Sequence, residues 1–159
     1  MSAQGLCLLA AVAAGLLSVS CGSKTEAPAT NELQSLTASQ AATMNYIDSI
    51  NGIPDLTHGT ARLPRGRELT VVGWAVDSAV KRPASKVFID IDGKLYPAKY
   101  GLARPDVVGA LKIPELEKTG FTAAIPSPPG DMEHRLTVKI VSADGASYYT
   151  GMNATFILQ

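Results

Sequence analysis

The sequence predicts an all-β protein: an antiparallel β-sandwich with a short helical insertion. Apolar and polar residues alternate with a period of two after residue 46, as in strands with one buried face. Gly, Pro and Asp interrupt this alternation at short intervals, leaving room for about six to eight strands. A domain over 46–159 has roughly 110 residues, enough to bury a two-layer core without disulfides.

The strand assignments follow from the runs between these turns. The predicted strands share alternation and β-branched or aromatic content, and they span 68–77, 86–92, 94–100, 120–125, 134–141 and about 147–158. Asp92-Gly93 and Asp144-Gly145 have the composition of tight hairpin turns. Pro97 cannot donate a ladder hydrogen bond, so its strand is predicted at a sheet edge.

The alternation breaks between residues 101 and 118. The stretches 106–111 and 114–116 each fit one or two helical turns. The sequence therefore predicts a helical insertion between two strands of the sandwich.

The most distinctive polar cluster lies beside this insertion and consists of Tyr100, Arg104 and Asp106. Loops on a rigid scaffold commonly carry binding residues, so this cluster is the candidate binding loop. In the structural alternative, Asp106 caps a helix that begins at Val107, and Arg104 bonds nearby carbonyls or a carboxylate.

The order of motifs resembles a bacterial immunoglobulin-like (Ig-like) module. Ile47-Asp48 precedes the strand Leu69-Thr70-Val71-Val72-Gly73-Trp74-Ala75-Val76-Asp77, as in modules where a short Ile-Asp segment precedes a Gly-Trp-Ala-x-Asp strand. The matching segments that follow are 99–107, 119–121 and 134–138. The resemblance covers about residues 46–159. It implies an Ig-like sandwich of the accessory type found on bacterial envelope and glycan-related proteins, typically without catalysis, and such a fold does not define a ligand.

The N-terminus has the pattern of an export signal over residues 1–20. Residues 6–19 form an uncharged apolar run that is shorter than the roughly 20 residues of a spanning helix. Small residues, Ser18 and Ser20, precede Cys21, and the segment Leu17-Ser18-Val19-Ser20-Cys21 resembles the lipobox of a bacterial lipoprotein signal peptide. The alternatives are an ordinary secretory signal cut near Ser20 and an uncleaved membrane anchor.

Cysteine usage favours lipid attachment at Cys21. The chain has two cysteines, and Cys7 lies inside the signal, so the processed chain keeps only Cys21. The lipoprotein resemblance implies a thioether-linked diacylglycerol on Cys21, usually with a third acyl chain such as palmitate on its amino group. Two or three long chains hold a protein on a bilayer stably. Gly22 in place of Asp after the cysteine favours the outer membrane of a two-membrane bacterium.

Residues 21–45 are predicted to be a tether. From residue 22 to about 43 the chain is rich in Ser, Thr, Ala, Gln and Asn, which bury too little apolar surface to offset ordering entropy. Within it, Asn31 as a cap with Leu33 and Leu36 on one stripe predicts a short helix.

Composition disfavours several classes of partner. The chain has 14 Lys and Arg against 14 Asp and Glu, and this neutrality argues against nucleic acid. Asp90 and Asp92 do not continue into a calcium-binding loop, so turn formation is predicted for both. His58 and His134 lack the spacing of a zinc pair. No metal site, cofactor or nucleotide fingerprint is predicted.

Two residues of the 68–77 strand have alternative interpretations. Trp74 is predicted to fill the sandwich core, because a tryptophan buries a large area there, and a sugar-stacking platform is the alternative. Asp77, at the strand end, is predicted to cap the following turn.

These observations predict an envelope protein, held on a membrane through a lipid on Cys21, that acts as a non-catalytic binding or scaffolding module. Its partner would be an envelope protein or a glycan. One alternative is a hydrolase acting on envelope polymer, with its site in 101–118 and Asp106 as the key residue. The other is a purely structural subunit of an envelope assembly.

Overall fold

The computed structural model describes residues 32–54, 56, 59–66 and 68–159. The predicted signal peptide, Cys21, residues 22–31 of the predicted tether and His58 lie outside the described residues. Within these ranges the chain is mostly strand, and two sheets pack together, which confirms the all-β sandwich with a short helical insertion. In the same ranges no helix is long and apolar enough to cross a bilayer.

The strands share short lengths and follow one another closely along the chain: β1 (Thr37–Ser39), β2 (Met44–Ile50), β3 (Ile53–Pro54), β4 (Thr60–Leu63), β5 (Leu69–Asp77), β6 (Arg82–Pro83), β7 (Lys86–Ile91), β8 (Lys94–Pro97), β9 (Lys99–Leu102), β10 (Gly120–Ile125), β11 (Glu133–Val141) and β12 (Ser147–Leu158). The insertion consists of a helix, α1 (Pro105–Leu111), and a 3-10 helix (Pro114–Lys118).

The strand order is that of an immunoglobulin-like sandwich. Sheet A has the order β1-β12-β11-β7-β8, and β4 also pairs with β12. Sheet B has the order β3-β2-β5-β10-β9, and β6 also pairs with β5. The β2-β5-β10-β9 sheet corresponds to immunoglobulin strands A, B, E and D, while β7, β11 and β12 correspond to C, F and G. Pairing is antiparallel except for β1 and β4, which both run parallel to β12.

The core lies between the two sheets and is built by the inward-facing residues of each strand. On β5, Leu69, Val71 and Ala75 are fully buried, whereas Thr70 between them is exposed. Phe121 on β10 and Phe156 on β12 are also fully buried. Burial of each large apolar side chain stabilises a fold by about 1.5–3 kcal/mol, so this inner layer holds the sheets together.

The β7–β8 hairpin forms at the predicted Asp92-Gly93 turn. Asp92 and Gly93 have φ angles of 52° and 85°, the left-handed pair that a two-residue hairpin turn requires. The Gly93 N–H donates to Asp90 Oδ1 at 2.7 Å. The turn role predicted for these aspartates is confirmed. Pro97 also lies at a sheet edge as predicted, because β8 is the last strand of sheet A.

The single strand predicted over 94–100 is wrong, because the chain changes sheets within it. Its first half, β8, belongs to sheet A, and its second half, β9, belongs to sheet B. Ala98 lies between the two strands, and its N–H still donates to Val87 of β7 at 2.9 Å. The apolar alternation continues through the crossover, so the local pattern gives no sign of it.

The chain before β2 is packed against sheet A. Residues 32–35 form a turn where a short helix was predicted, and β1 then pairs with the start of β12. Leu33 is 8% exposed and packs against Phe88 and Val141 on the outer face of sheet A. Glu32 accepts a hydrogen bond from Lys86 Nζ at 2.8 Å. The sandwich therefore includes residues that the sequence places in the tether.

Candidate binding surface

The structure separates Tyr100 from the other two residues of the predicted binding loop. Tyr100 lies on β9 opposite Phe121, so its ring faces the interior. Its hydroxyl donates to the Ala75 carbonyl at 2.7 Å and accepts from the Ala84 N–H at 3.0 Å. Burial raises the pKa of the phenol to about 12, against a smaller opposing effect of the Ala84 hydrogen bond. The hydroxyl therefore uses both its donor and its acceptor capacity within the fold.

Arg104 is held between two carboxylates on the outer side of sheet B. Its Nη1 lies 2.6 Å from Asp48 Oδ2, and its Nη2 lies 3.4 Å from Asp48 Oδ1. Its Nε and Nη2 lie 2.9 Å and 2.6 Å from the two oxygens of Asp106. The Arg104 side chain is only 17% exposed. The structure therefore agrees with the structural alternative, in which Arg104 bonds a carboxylate.

The predicted capping role of Asp106 is wrong. Arg104 occupies the position before α1, Pro105 begins the helix, and Asp106 lies within the first turn. Its side chain is directed to Arg104, because the guanidinium offers it two parallel charge-assisted bonds. Hydrogen bonding to Arg104 lowers the pKa of Asp106 to about 2. The same bond raises the pKa of Arg104, so the pair stays ionised across the physiological range.

The prediction that Trp74 fills the sandwich core is also wrong. Its neighbours on β5, Gly73 and Ala75, are buried against the core, so the indole faces outward from sheet B. There it is half-buried beside a small cluster in which α1 and the 3-10 helix cover Val76. The outward-facing residues of β5 are apolar as well, because the inserted helices cover part of that face. The sequence of β5 alone therefore does not show which face points to the core.

A second aromatic residue shares this outer face. Tyr46 of β2 is the direct cross-strand partner of Trp74, so both rings project from the same side of the sheet, and both are half-buried. On the other flank of Trp74 the opposite residue is Gly120. A Cβ at Gly120 would lie 3.0 Å from Arg104 Cγ, so the glycine leaves the space in which Arg104 crosses the sheet.

We call Tyr46, Trp74, Asp48, Arg104 and Asp106 the outer-face surface. It places two aromatic rings beside a guanidinium and two carboxylates. Aromatic faces bind apolar and polarised C–H groups, and the carboxylates accept hydrogen bonds from hydroxyl or amide donors. Asp48 lies at the β2 bulge between Ile47 and Ser49, and bulges redirect side chains in this way.

Within the described part of the chain, no group of three His, Cys, Asp or Glu side chains is placed to hold a metal ion.

The turn-capping role predicted for Asp77 is confirmed, since its Oδ1 accepts from the Ala79 N–H at 3.1 Å. The carboxylate also accepts from Tyr149 Oη at 3.1 Å and from the Ala143 N–H at 2.8 Å. Asp77 thereby connects the end of β5 to the β11–β12 turn of the other sheet.

Sequence reasoning missed the pairing of His134 with Asp92. His134 Nδ1 lies 2.7 Å from Asp92 Oδ2, although the two residues are 42 positions apart. His134 is 2% exposed and its ring lies 5.2 Å from that of Phe156. The only local signal was the alternation that places His134 on the inner face with Leu136.

No protein-family model matches the chain, and a search of curated proteins finds no match either. The class of the protein therefore comes from its own fold and surface: an Ig-like β-sandwich with an aromatic and charged outer face on sheet B.

Proposed function

We propose that the protein is a bacterial envelope lipoprotein whose Ig-like domain is a non-catalytic binding module for a glycan or a protein. The observation that carries the binding role is the outer-face surface, where Tyr46 and Trp74 are only half-buried and stand beside Arg104. Large aromatic residues beside an arginine are typical of binding surfaces rather than of inert sheet faces.

The way the chain joins the sandwich determines how far a lipid on Cys21 could hold the domain from a bilayer. Glu32 and Thr37 contact the end of sheet A that carries Lys86 and Ser147. Ten residues, 22–31, separate Glu32 from Cys21, so the extended chain between them reaches at most about 40 Å. A lipid on Cys21 would confine the domain within that distance of the bilayer and raise its effective concentration there.

Asp106 is poorly suited to the hydrolase alternative. A general acid has to be protonated near neutral pH, whereas the pKa of Asp106 is lowered to about 2 by its bonds to Arg104. A carboxylate of such low pKa is also a weak general base. Its role in the proposal is to fix Arg104 at the edge of the outer-face surface.

Membrane fractionation and intact mass test the anchor. The full chain and Cys21→Ala are expressed side by side in a bacterium that processes lipoproteins. The proposal expects a membrane-bound chain that begins at Cys21 and carries added acyl mass, and a Cys21→Ala chain without that mass. An unmodified, soluble wild-type chain would contradict the lipid anchor.

A glycan array tests the binding surface. Wild type is compared with Trp74→Ala and with Tyr148→Ala, which removes an aromatic ring from the outer face of sheet A. The proposal expects at least one glycan that wild type and Tyr148→Ala retain and that a folded Trp74→Ala does not. Equal retention by all three would place binding elsewhere, and no retention of any glycan would remove the glycan half of the proposal.

A further inference from the structure

A cleft lies at one end of the sandwich, between the β7–β8 turn and the segment 126–132 that joins β10 to β11. Its volume is about 340 Å³, and its walls include Tyr96, Pro128 and Pro129. Asp92, Ser127 and His134 also line it. It lies at the opposite end of sheet A from the contact between Glu32 and Lys86, because Lys86 begins β7 and Asp92 follows its last residue.

The tautomer of His134 follows from its contact with Asp92. Burial of the Asp92 carboxyl opposes ionisation, but hydrogen bonds from the Arg135 N–H and from His134 outweigh it and lower the Asp92 pKa. Asp92 is therefore a carboxylate at neutral pH and accepts the Nδ1 proton across 2.7 Å. With its Nδ1–H donated to Asp92, an imidazole that carries one proton has a lone pair at Nε2, which is a hydrogen-bond acceptor.

Two polar atoms of this cleft lack a hydrogen-bond partner. Among the residues that the structure describes, Ser127 Oγ and His134 Nε2 are the buried side-chain polar atoms without one. Buried polar atoms in folded proteins are nearly always paired, so two unpaired atoms in one cleft indicate that something else binds there.

We propose that this cleft binds a sugar residue through one of its hydroxyl groups. The hydroxyl donates to His134 Nε2 and accepts from the Ser127 hydroxyl, which a single O–H group can do at once. The C–H face of the sugar ring contacts the wall formed by Tyr96, Pro128 and Pro129. An anion fits less well, although Lys94 lies at the rim, because the Asp92 carboxylate opposes negative charge.

Access to the two atoms requires movement of the segment that carries Ser127. Both atoms are shielded from solvent in the described conformation. The segment contains Gly130, with a φ of 101°, and Met132, which is 68% exposed. The site is distinct from the outer-face surface and does not depend on the lipid anchor.

Imidazole-nitrogen NMR of the full chain tests the proposal. His58→Gln serves as the parent, so that only the His134 ring is observed. The probes are glucose, galactose and N-acetylglucosamine, with urea as a small hydrogen-bonding control. The proposal expects at least one sugar to give a saturable shift of the Nε2 resonance, and urea to give none.

Two variants locate the binding. Ser127→Ala, made in the same parent, is expected to weaken the sugar at least about tenfold, because it removes one of the two hydroxyl contacts. Ser35→Ala, a matched change on an exposed turn, is expected to leave the affinity unchanged. Trp74→Ala is also expected to leave the His134 shift unchanged, which separates this site from the outer-face surface.

The absence of a saturable His134 shift with all three sugars would overturn the proposal and leave a trapped water as the partner of the two atoms. An equal affinity in Ser127→Ala would also overturn it. So would a His134 shift that Trp74→Ala abolishes.

Discussion

Replacing Tyr100 with Phe tests whether this residue is structural. The change removes only the hydroxyl, which bridges the Ala75 carbonyl and the Ala84 N–H. Both alanines are buried, at 0% and 8% exposure, so water cannot easily replace the lost partner. The phenyl ring of the variant keeps the packing against the core.

The expected loss of stability follows from these two bonds. A net hydrogen bond contributes about 0.5–1.5 kcal/mol, and a buried group left unpaired costs about 1–3 kcal/mol. The Ala75 carbonyl has a second lone pair, whereas the Ala84 N–H has only one proton to donate. We therefore expect Tyr100→Phe to lower the free energy of unfolding by roughly 2 kcal/mol, which corresponds to about 6–10 °C in Tm.

Urea unfolding followed by tryptophan fluorescence measures this loss, because Trp74 is the one tryptophan of the chain. The slope of the transition should stay unchanged while the midpoint falls. Tyr148→Phe is the matched control, since it removes a hydroxyl from the outer face of sheet A, and it should change stability by less than about 0.5 kcal/mol.

A pH titration gives an independent readout of the same residue. The folded-state pKa of Tyr100 is raised to about 12 from an ordinary value of 10.0. A raised pKa contributes stability that is present below pH 10 and lost as the pH rises through 12. Urea unfolding of wild type should show this alkaline loss of stability, and Tyr100→Phe should lose less, with the remainder due to Tyr96 and Tyr149, whose pKa values burial also raises. A Tyr100→Phe protein as stable as wild type, with the same alkaline transition, would refute the reasoning.

The remaining predictions concern Gly73 and the Arg104–Asp106 pair. A Cβ at Gly73 would lie 2.3 Å from the Tyr46 carbonyl oxygen and 2.6 Å from Phe121 Cζ, so Gly73→Ala should destabilise the fold by at least about 3 kcal/mol in urea unfolding. Gly73→Ala at wild-type stability would contradict this close approach. The lowered pKa of Asp106 contributes stability that is present above pH 3.8 and lost as the pH falls towards 2. Asp106→Asn should therefore flatten the acid side of the stability profile in this window, and an unchanged profile would show that the pair does not couple to folding.

Local sequence signals were sufficient for five of the strands, which are β5, β7, β10, β11 and β12. The prediction of 120–125 matches β10, and the predicted strands at 68–77 and 86–92 differ from β5 and β7 by one residue at one end. The ends of these strands are determined by alternation and by Asp-Gly turns, and both signals are contained within a few neighbouring residues. The 94–100 prediction failed because alternation specifies which side a residue faces within a strand but not which sheet the strand joins.

The candidate sites depended on contacts that the sequence does not display. Asp48 and Arg104 are 56 positions apart. They meet because sheet B places β2, β5, β10 and β9 side by side, and Arg104 follows β9. Trp74 was assigned to the wrong face because its strand is apolar on both sides, and the cover for one side comes from a distant insertion. Long-range pairing therefore sets the surface chemistry, while local pattern sets the strands.

The outer faces of the two sheets differ in how much of their apolar surface is covered by other parts of the chain. On sheet A, Leu33 packs over Phe88 and Val141, so much of the apolar surface there is already occupied. On sheet B, the inserted helices cover the Val76 end and leave Tyr46 and Trp74 half-buried.

In the proposed binding role, a partner would therefore find accessible aromatic area mainly on sheet B. The bonds from Arg104 to Asp48 and Asp106 fix the polar groups beside that area before any partner arrives. Groups held in place lose less conformational entropy on binding, so under the proposed function the bonds that fix Arg104 would also reduce the entropic cost of recognition.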